Sequence, residues 1–128
     1  MEAIPVTAAV IERDGKILIA RRLPTKAFPG KWEFPGGKIE PNETPEMCLV
    51  REIREEFDVT PEIERKVLDW DFDYGNGKKF RFCSFRCSIS GEPKLLAHSA
   101  MAWVTLDELS NFDLLEADKI LAEVLKKR

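Results

Sequence analysis

The sequence predicts a mixed α/β domain, and three observations carry that prediction. Short runs rich in Val, Ile and Phe recur between turn residues, as strands do. Two stretches, Pro45 to Phe57 and Leu114 to Lys127, instead space their apolar residues with a helical period. The two kinds of segment interleave along the chain, the order expected when helices cover a sheet. At 128 residues there is room for one domain and one core, so the expected unit spans residues 1–128.

The segment from Ile4 to Arg22 reads as two strands around a turn. Val6, Ala8 and Val10 alternate with Thr7 and Ala9, and Asp14-Gly15 supplies the residues of a tight hairpin. In the returning strand Ile17 and Ile19 alternate with Leu18 and Ala20, so both faces are apolar and the strand is expected in the interior. A loop with Pro24, Pro29 and Gly30 follows, then the short aromatic run Lys31-Trp32-Glu33-Phe34, which Pro35-Gly36-Gly37 breaks. Thr44 can cap free amides and Pro45 suits a first helical position, so a helix is expected over Pro45 to Phe57. Ile63 to Asp73 and Lys79 to Ser90 read as strands joined by the Gly75-Asn76-Gly77 turn. Met101 to Val104 is a further short strand. Thr105 opens a short helix, and Leu114 to Lys127 forms an amphipathic one.

Apolar content of 44% with 34% charged residues describes a globular chain, not a disordered one. A net charge of −3 gives no broad attraction for nucleic acid polymers or anionic membranes, so local cations must bind any anionic substrate. No apolar stretch approaches membrane-spanning length. The N-terminus MEAIPVTAAVIERDG has no basic start and no long apolar run, so secretion is not expected. Cys83 and Cys87 sit four residues apart in one strand, about 13 Å at full extension, beyond the reach of a disulfide. Free thiols in a reducing cytoplasm are the expectation.

The acidic residues are not spread evenly. On a helical wheel Leu49, Val50, Ile53 and Phe57 share an arc expected to face the core, while Glu52, Glu55 and Glu56 converge on another. Like charges at that spacing repel by about 0.2–0.5 kcal/mol, which a merely solvated face tends to avoid. Hard divalent cations such as Mg²⁺ take oxygen ligands from a few carboxylates plus substrate phosphates, and this cluster could hold one. Gly36-Gly37 lets the backbone approach closely and offer a carbonyl or amide to the same ion or ligand. Glu43 could orient Arg51 behind the cluster. An ordinary charged outer face is the alternative.

These residues resemble the Nudix family signature, G-x5-E-x7-R-E-U-x-E-E-x-G-U, where U is a bulky aliphatic residue. Gly37, Glu43, Arg51, Glu52, Ile53, Glu55, Glu56 and Val59 all fall in register. Asp58 stands where the family has glycine, at a helix end where a left-handed conformation is common and Asp tolerates it better than most. The order strand, Asp-Gly turn, strand, Arg-Arg, Trp-Glu-Phe-Pro-Gly-Gly-Lys-Ile-Glu, late Trp-Val and final helix extends the likeness, to the MutT-like branch. The resemblance implies an α/β/α sandwich around a mixed sheet. It also implies hydrolysis of nucleoside triphosphates, often damaged or modified ones, to monophosphate and pyrophosphate, with Mg²⁺ or alternatively Mn²⁺.

By the same resemblance Glu52, Glu55, Glu56 and the Gly37 carbonyl are the metal ligands, with Arg51 and Glu43 completing the catalytic set. Arg22 matches the phosphate-contacting arginine, and Lys38 lies close enough to help; a solvated strand end is the alternative for Arg22. MutT-like enzymes often carry a Glu in the loop before the late Trp, and here Ala97 occupies that slot. The base would then come from the signature helix, Glu52 being the choice, or from a metal-bound hydroxide. His98, the one histidine, can accept a proton near pH 7, although a lone loop histidine is more often simply exposed. Asp118 falls where the 8-oxoguanine-hydrolysing member has Asn. An ionised Asp only accepts hydrogen bonds, which suits the donors of cytosine N4 or of guanine N1 and N2 and puts cytosine nucleotides ahead of 8-oxo-dGTP. Asp118 as a helix-start residue complementing the dipole is the alternative. Phe72 and Trp70 are candidates to stack on the base, with core packing expected for one of them. A different nucleoside diphosphate-X substrate, or a degenerate domain kept as a nucleotide sensor or binding module, stays open, as does the choice between monomer and homodimer.

Overall fold

The computed structural model describes residues 3–128. Its strands are β1 (Ile4–Arg13), β2 (Lys16–Arg21), β3 (Trp32–Glu33), β4 (Gly36–Lys38), β5 (Pro61–Asp73), β6 (Lys79–Ile89) and β7 (Ala100–Val104). Its helices are α1 (Pro45–Phe57) and α2 (Glu116–Lys126), with a 3₁₀ turn over Asp107–Asn111 in place of the short helix expected after Thr105. Asp14 and Gly15 take φ of 52° and 77°, the two positive values that a two-residue hairpin needs to match strand twist. That turn brings β2 back beside β1.

The sheet runs β3-β2-β1-β6-β5, with β7 on β2. β1 and β6 are parallel, from Ile4 opposite Phe80 to Ile11 opposite Cys87, and the other pairings are antiparallel. The outer edge of β1 is divided. Val6 to Ala8 pair with β4, whereas Glu12 and Arg13 pair with β2. The sheet therefore forks, and the charged residues considered below gather at the fork.

β1 and β2 are apolar on both faces because both faces are covered. Ala8, Val10, Ile17 and Ile19 pack with Leu109, Leu114, Leu121 and Ala122 on the α2 side. Ala9, Ile11, Leu18 and Ala20 pack with Leu49, Ile53 and Phe57 on the α1 side. Each Val, Leu, Ile or Phe side chain among them contributes roughly 1.5–3 kcal/mol when fully buried, so the two layers of contacts hold both helices on the sheet. The result is the α/β/α sandwich around a mixed sheet.

Helix α1 starts and stops where local chemistry dictates. Thr44 is extended (φ −76°, ψ 158°) and its Oγ1 accepts from the Met47 N–H at 3.1 Å, with Pro45 in the first turn. Asp58 ends it in the left-handed conformation (φ 55°, ψ 38°), its N–H donating to the Arg54 carbonyl at 3.0 Å. The rotation of the helix differs from expectation. Cys48, Leu49, Ile53 and Phe57 are buried, while Val50 is only half-buried and borders a shallow depression beside Met47. The buried arc is rolled by roughly 50° toward Cys48, which turns Glu52 and Glu56 inward and Val50 outward.

The Pro35-Gly36-Gly37 break is also more ordered than expected, since Gly36–Lys38 pairs with β1. A Cβ on Gly36 would stand 2.0 Å from the Thr7 carbonyl oxygen, so only glycine allows that approach. All three cysteines are free thiols. Among the described residues, no helix is long and apolar enough to cross a membrane.

Candidate active site

A cleft of about 630 Å³ opens at the fork, floored by β1 and β4 and walled by α1 and the start of α2. Carboxylates occupy one end, where Glu52 and Glu56 face β4. Lys26, Lys38, Lys78 and Arg22 supply positive charge along it, and Phe28, Tyr74, Phe80 and Phe82 give it an aromatic wall. Asp118 lines the cleft as well, from the first turn of α2.

The three glutamates of α1 do not converge as the wheel implied. Arg51 stands among them and against the preceding loop. Its Nε and Nη2 donate to the two oxygens of Glu43 at 2.7 and 3.0 Å, and its Nη1 to Glu52 Oε1 at 2.7 Å and Glu55 Oε1 at 3.4 Å. That guanidinium holds the Glu43 carboxyl down at about 2 and is itself pushed above the usual arginine range, chiefly by Glu43. Glu55 is drawn to the rim and is more than half exposed. Glu56 is turned inward. Burial, contact with Glu52 and the charge of Glu33 hold its carboxyl well above the usual range.

As the side chains stand, no three His, Cys, Asp or Glu residues among the described ones are close enough together to hold a cation. Two observations nevertheless fit one at the Glu52–Glu56 pair. Glu56 Oε1 is buried with no hydrogen-bond partner, a costly state for a carboxylate that a cation would relieve. The Glu52 carboxylate occupies the space of the missing Gly37 side chain, where a Cβ would lie 2.3 Å from its Cδ. Oxygen donors of this kind suit a hard divalent ion.

The Gly37 carbonyl, expected as the backbone ligand, already has partners. Ala9 donates to the Pro35 carbonyl and Ile39 to that of Pro5, so alternation along an antiparallel ladder makes Thr7 and Gly37 the hydrogen-bonded pair. The Gly37 carbonyl also receives the Thr7 hydroxyl at 3.3 Å and the Cys48 thiol at 3.6 Å. It is therefore engaged by β1 and α1. Gly36, in the intervening non-bonded pair, directs its amide and carbonyl away from β1, and its amide interacts with Glu56.

Glu33 escaped the sequence reasoning. It lies on β3, within the cleft, with Oε1 bound to Arg22 Nη1 at 2.8 Å and Oε2 to His98 Nε2 at 2.8 Å. Its signal was its place in Trp32-Glu33-Phe34, where a strand alternates and Glu33 must face away from the side that Trp32 and Phe34 take. His98 is not an exposed loop residue. It is 8% exposed, and its ring stacks on Phe57 at 5.5 Å and 12°. Ala97 lines the cleft beside it, at the position expected to lack a carboxylate.

Asp118 is 4% exposed, and its Oδ2 accepts from the Phe34 N–H at 2.9 Å. Burial, reinforced by the charge of Glu33, pushes its carboxyl up to about 8. Below that pH it keeps a proton, so it presents a donor as well as acceptors and not acceptors alone. Lys38 lies at the cleft with its side chain, while its carbonyl receives Arg51 Nη2 at 3.1 Å. Phe72 does not line the cleft, packing instead edge-on against Tyr74 at 4.6 Å. Trp70 belongs to the core. It stacks on Phe82 at 4.7 Å and donates from Nε1 to the Ala117 carbonyl at 3.2 Å.

Comparison with known proteins places this geometry. A family model described as the NUDIX domain matches residues 1–127. The CTP pyrophosphohydrolase of Escherichia coli is 36% identical over 124 residues, covering 96% of this chain and 91% of that protein. A putative 8-oxo-dGTP diphosphatase 2 of Mycobacterium tuberculosis is 33% identical over 118 residues, covering 89% and 82%. The crystal structure of a MutT NUDIX hydrolase from Burkholderia pseudomallei superposes with a TM-score of 0.86 at 31% identity, covering 96% of this chain and 98% of that one.

Proposed function

The chain belongs to the Nudix family of nucleotide hydrolases, whose members use a divalent metal, and from that premise we propose a Mg²⁺-dependent nucleoside triphosphate pyrophosphohydrolase, with Mn²⁺ able to substitute. It converts a triphosphate to monophosphate and pyrophosphate, prefers cytosine nucleotides to 8-oxo-dGTP, and serves to clear modified nucleotides from the cytoplasmic pool. The observation that carries this reading is the inward pair Glu52 and Glu56, with an orphaned Glu56 oxygen, at one end of a cleft that has Asp118 elsewhere on its wall.

Glu52, Glu56 and the Gly36 carbonyl would hold the ion, which when bound neutralises phosphate charge and polarises the phosphorus under attack. Glu55 stays on Arg51 and braces it. Glu52 is the base that takes the proton of the attacking water, since Arg51 Nη1 holds its carboxylate oriented at 2.7 Å. Arg22 and Lys38 bind the phosphates. The nucleoside lies against the aromatic wall of Phe28, Tyr74 and Phe80, with its base edge toward Asp118. The preference for cytosine is supported by the likeness to the CTP pyrophosphohydrolase. It is also supported by chemistry, since cytosine offers a donor at N4 and an acceptor at N3 to a carboxyl that changes protonation near pH 8.

A hydrolysis panel of normal, methylated and oxidised triphosphates, with products identified and chelator controls, tests this. Metal-dependent release of pyrophosphate, fastest for a cytosine nucleotide, is the expected result. Turnover undiminished in excess chelator removes the metal reading. Tight nucleotide binding with no turnover anywhere in the panel would make the cleft a sensor, in keeping with Ala97.

A further inference from the structure

His98, Glu33 and Arg22 form one chain of contacts across the cleft. Each belongs to a different segment: Glu33 to β3, Arg22 to the position just after β2, and His98 to the loop before β7. Glu33 is bound on both oxygens, by Arg22 at 2.8 Å and by His98 at 2.8 Å, while Arg22 Nε also donates to the Ala27 carbonyl at 2.6 Å. These bonds fix the guanidinium in two places. Arg22 Nη2 makes no hydrogen bond among the described residues, although Arg22 lines the cleft. It is held at Nε and Nη1 and free at Nη2.

The far end of the chain is buried. The His98 side chain is 5% exposed and lies flat on Phe57, the last residue of α1. Its Nδ1 is buried without a partner. This pattern identifies the tautomer protonated on Nε2, because a proton on Nδ1 would bury a donor with no acceptor. The same burial of Nδ1 keeps it from any water that attacks phosphorus, so His98 acts through Glu33. Without the Nε2 donor, the half-buried Glu33 Oε2 would lose its partner, and the carboxylate would turn, taking Arg22 with it.

We propose that His98 is a positioning residue which, through Glu33, aims the free Nη2 of Arg22 at the triphosphate. This rests on the reading of Arg22 as a phosphate contact. His98 thus serves the binding of the polyphosphate, not the proton transfer. A histidine that merely packed on Phe57 would be replaceable by any flat ring.

The test uses His98→Phe, which keeps the ring and loses the donor, and His98→Gln, which keeps a donor at the place of Nε2. Each is made alone and combined with Arg22→Ala. KM and kcat are measured on the best triphosphate of the panel, and Kd for inorganic tripolyphosphate by calorimetry, with melting temperatures to confirm folding. His98→Phe is expected to raise KM and Kd by ~10-fold, the size of one well-formed charged contact, with kcat changed by less than ~3-fold. His98→Gln should recover most of that loss. In the Arg22→Ala background, His98→Phe should add nothing, because coupled residues are not additive. Should His98→Phe fail to fold, Glu33→Gln tests the chain from its middle and is expected to give the same loss of tripolyphosphate binding.

Unchanged Kd in folded His98→Phe overturns the proposal, as does an equal loss in His98→Gln or a full effect without Arg22. Wild-type protein that does not bind tripolyphosphate overturns it too. A protein that binds tripolyphosphate in the His98-dependent manner but hydrolyses no nucleotide would sink the proposed function and leave the chain standing. Normal hydrolysis with a Kd indifferent to His98 does the reverse.

Discussion

The two helices that cover the sheet are built by opposite means. Helix α1 carries its own start and stop, Thr44 with Pro45 and the left-handed Asp58, and its charges are tied to one another through Arg51. Helix α2 has neither. Its N-cap position is Leu115, whose side chain caps nothing, and the Ala117 N–H is satisfied by the Tyr74 hydroxyl at 3.0 Å from the β5–β6 hairpin. Its buried acid, Asp118, leans on the Phe34 amide of another segment. The difference separates duties. The self-contained helix carries the acids proposed to do the chemistry, and the helix defined by its neighbours carries the residue whose surroundings set its character.

The comparison predicts that damage on α1 is chemical and damage on α2 selective. Glu52→Gln should lower kcat by ~100- to 10,000-fold, the range for loss of a general base, while folding survives. Glu55→Gln, at the rim and serving only Arg51, should cost ~10- to 100-fold, as outer partners of metal ligands do. Equal losses in the two variants, read from kcat with nucleotide saturating, would mean that the three acids act as one cluster after all.

On α2 the expected effect is on choice and on pH. Asp118→Asn should shift the ratio of kcat/KM between a cytosine nucleotide and 8-oxo-dGTP by ~5- to 150-fold, the equivalent of about 1–3 kcal/mol in a buried polar match. An unmoved ratio would leave Asp118 as a helix-start residue. The raised Asp118 value, about 8 against an ordinary 3.8, has a stability consequence. The folded protein holds that proton more tightly than the unfolded chain does. Its contribution is thus whole below about pH 4 and is lost as pH rises through 8. Glu56 works in the same direction. Metal-free protein should melt at a lower temperature at pH 8 than at pH 5, and Asp118→Asn should flatten that fall. A melting temperature that rises over this interval contradicts the buried, protonated acid.

The smallest effect sharpens the contrast between the caps. Thr44→Ala and Tyr74→Phe each remove one hydroxyl from one helix amide, and each should cost about 0.5–2 kcal/mol in denaturant unfolding. Only Tyr74→Phe should also change the nucleotide ranking, because the amide it frees is adjacent to Asp118. If both leave the ranking alone, the start of α2 is stiffer than its missing cap implies.

This asymmetry also explains which parts were legible in the sequence. Much of what is local was readable: the Asp14-Gly15 hairpin, both ends of α1, the β5–β6 pair and the free thiols. The register of Glu43, Arg51 and Glu52 followed too, because the spacing of a helix and its loop is set within a few turns. What escaped depends on contacts between distant segments. The roll of α1 that moved Val50 out and Glu56 in is decided by packing on β1 and β2. The engagement of the Gly37 carbonyl is decided by the register of β4 on β1. Glu33 and His98 are 65 residues apart and meet only in the fold. Phe72 was a fair choice by composition, yet its cross-strand partner Phe80 is the one on the cleft wall.

The divided edge of β1 also predicts an order of assembly. The β1–β2 hairpin closes over a two-residue turn, an event of microseconds. The β4 side of the same edge must bring Gly37 to Thr7 across 30 residues, and the parallel partner on the other edge sets Phe80 against Ile4. Loop closure grows costlier with separation, and parallel pairing over a long crossover is slow. The strand that first meets its neighbour by turn chemistry alone thus waits for two remote segments before the fork exists. Arg22 leaves the end of the early hairpin, whereas Gly36, Glu56 and Phe80 arrive with the late segments. The cleft is therefore expected to form in the slow half of folding, and hydrolysis recovered on refolding should track that half and not closure of the hairpin.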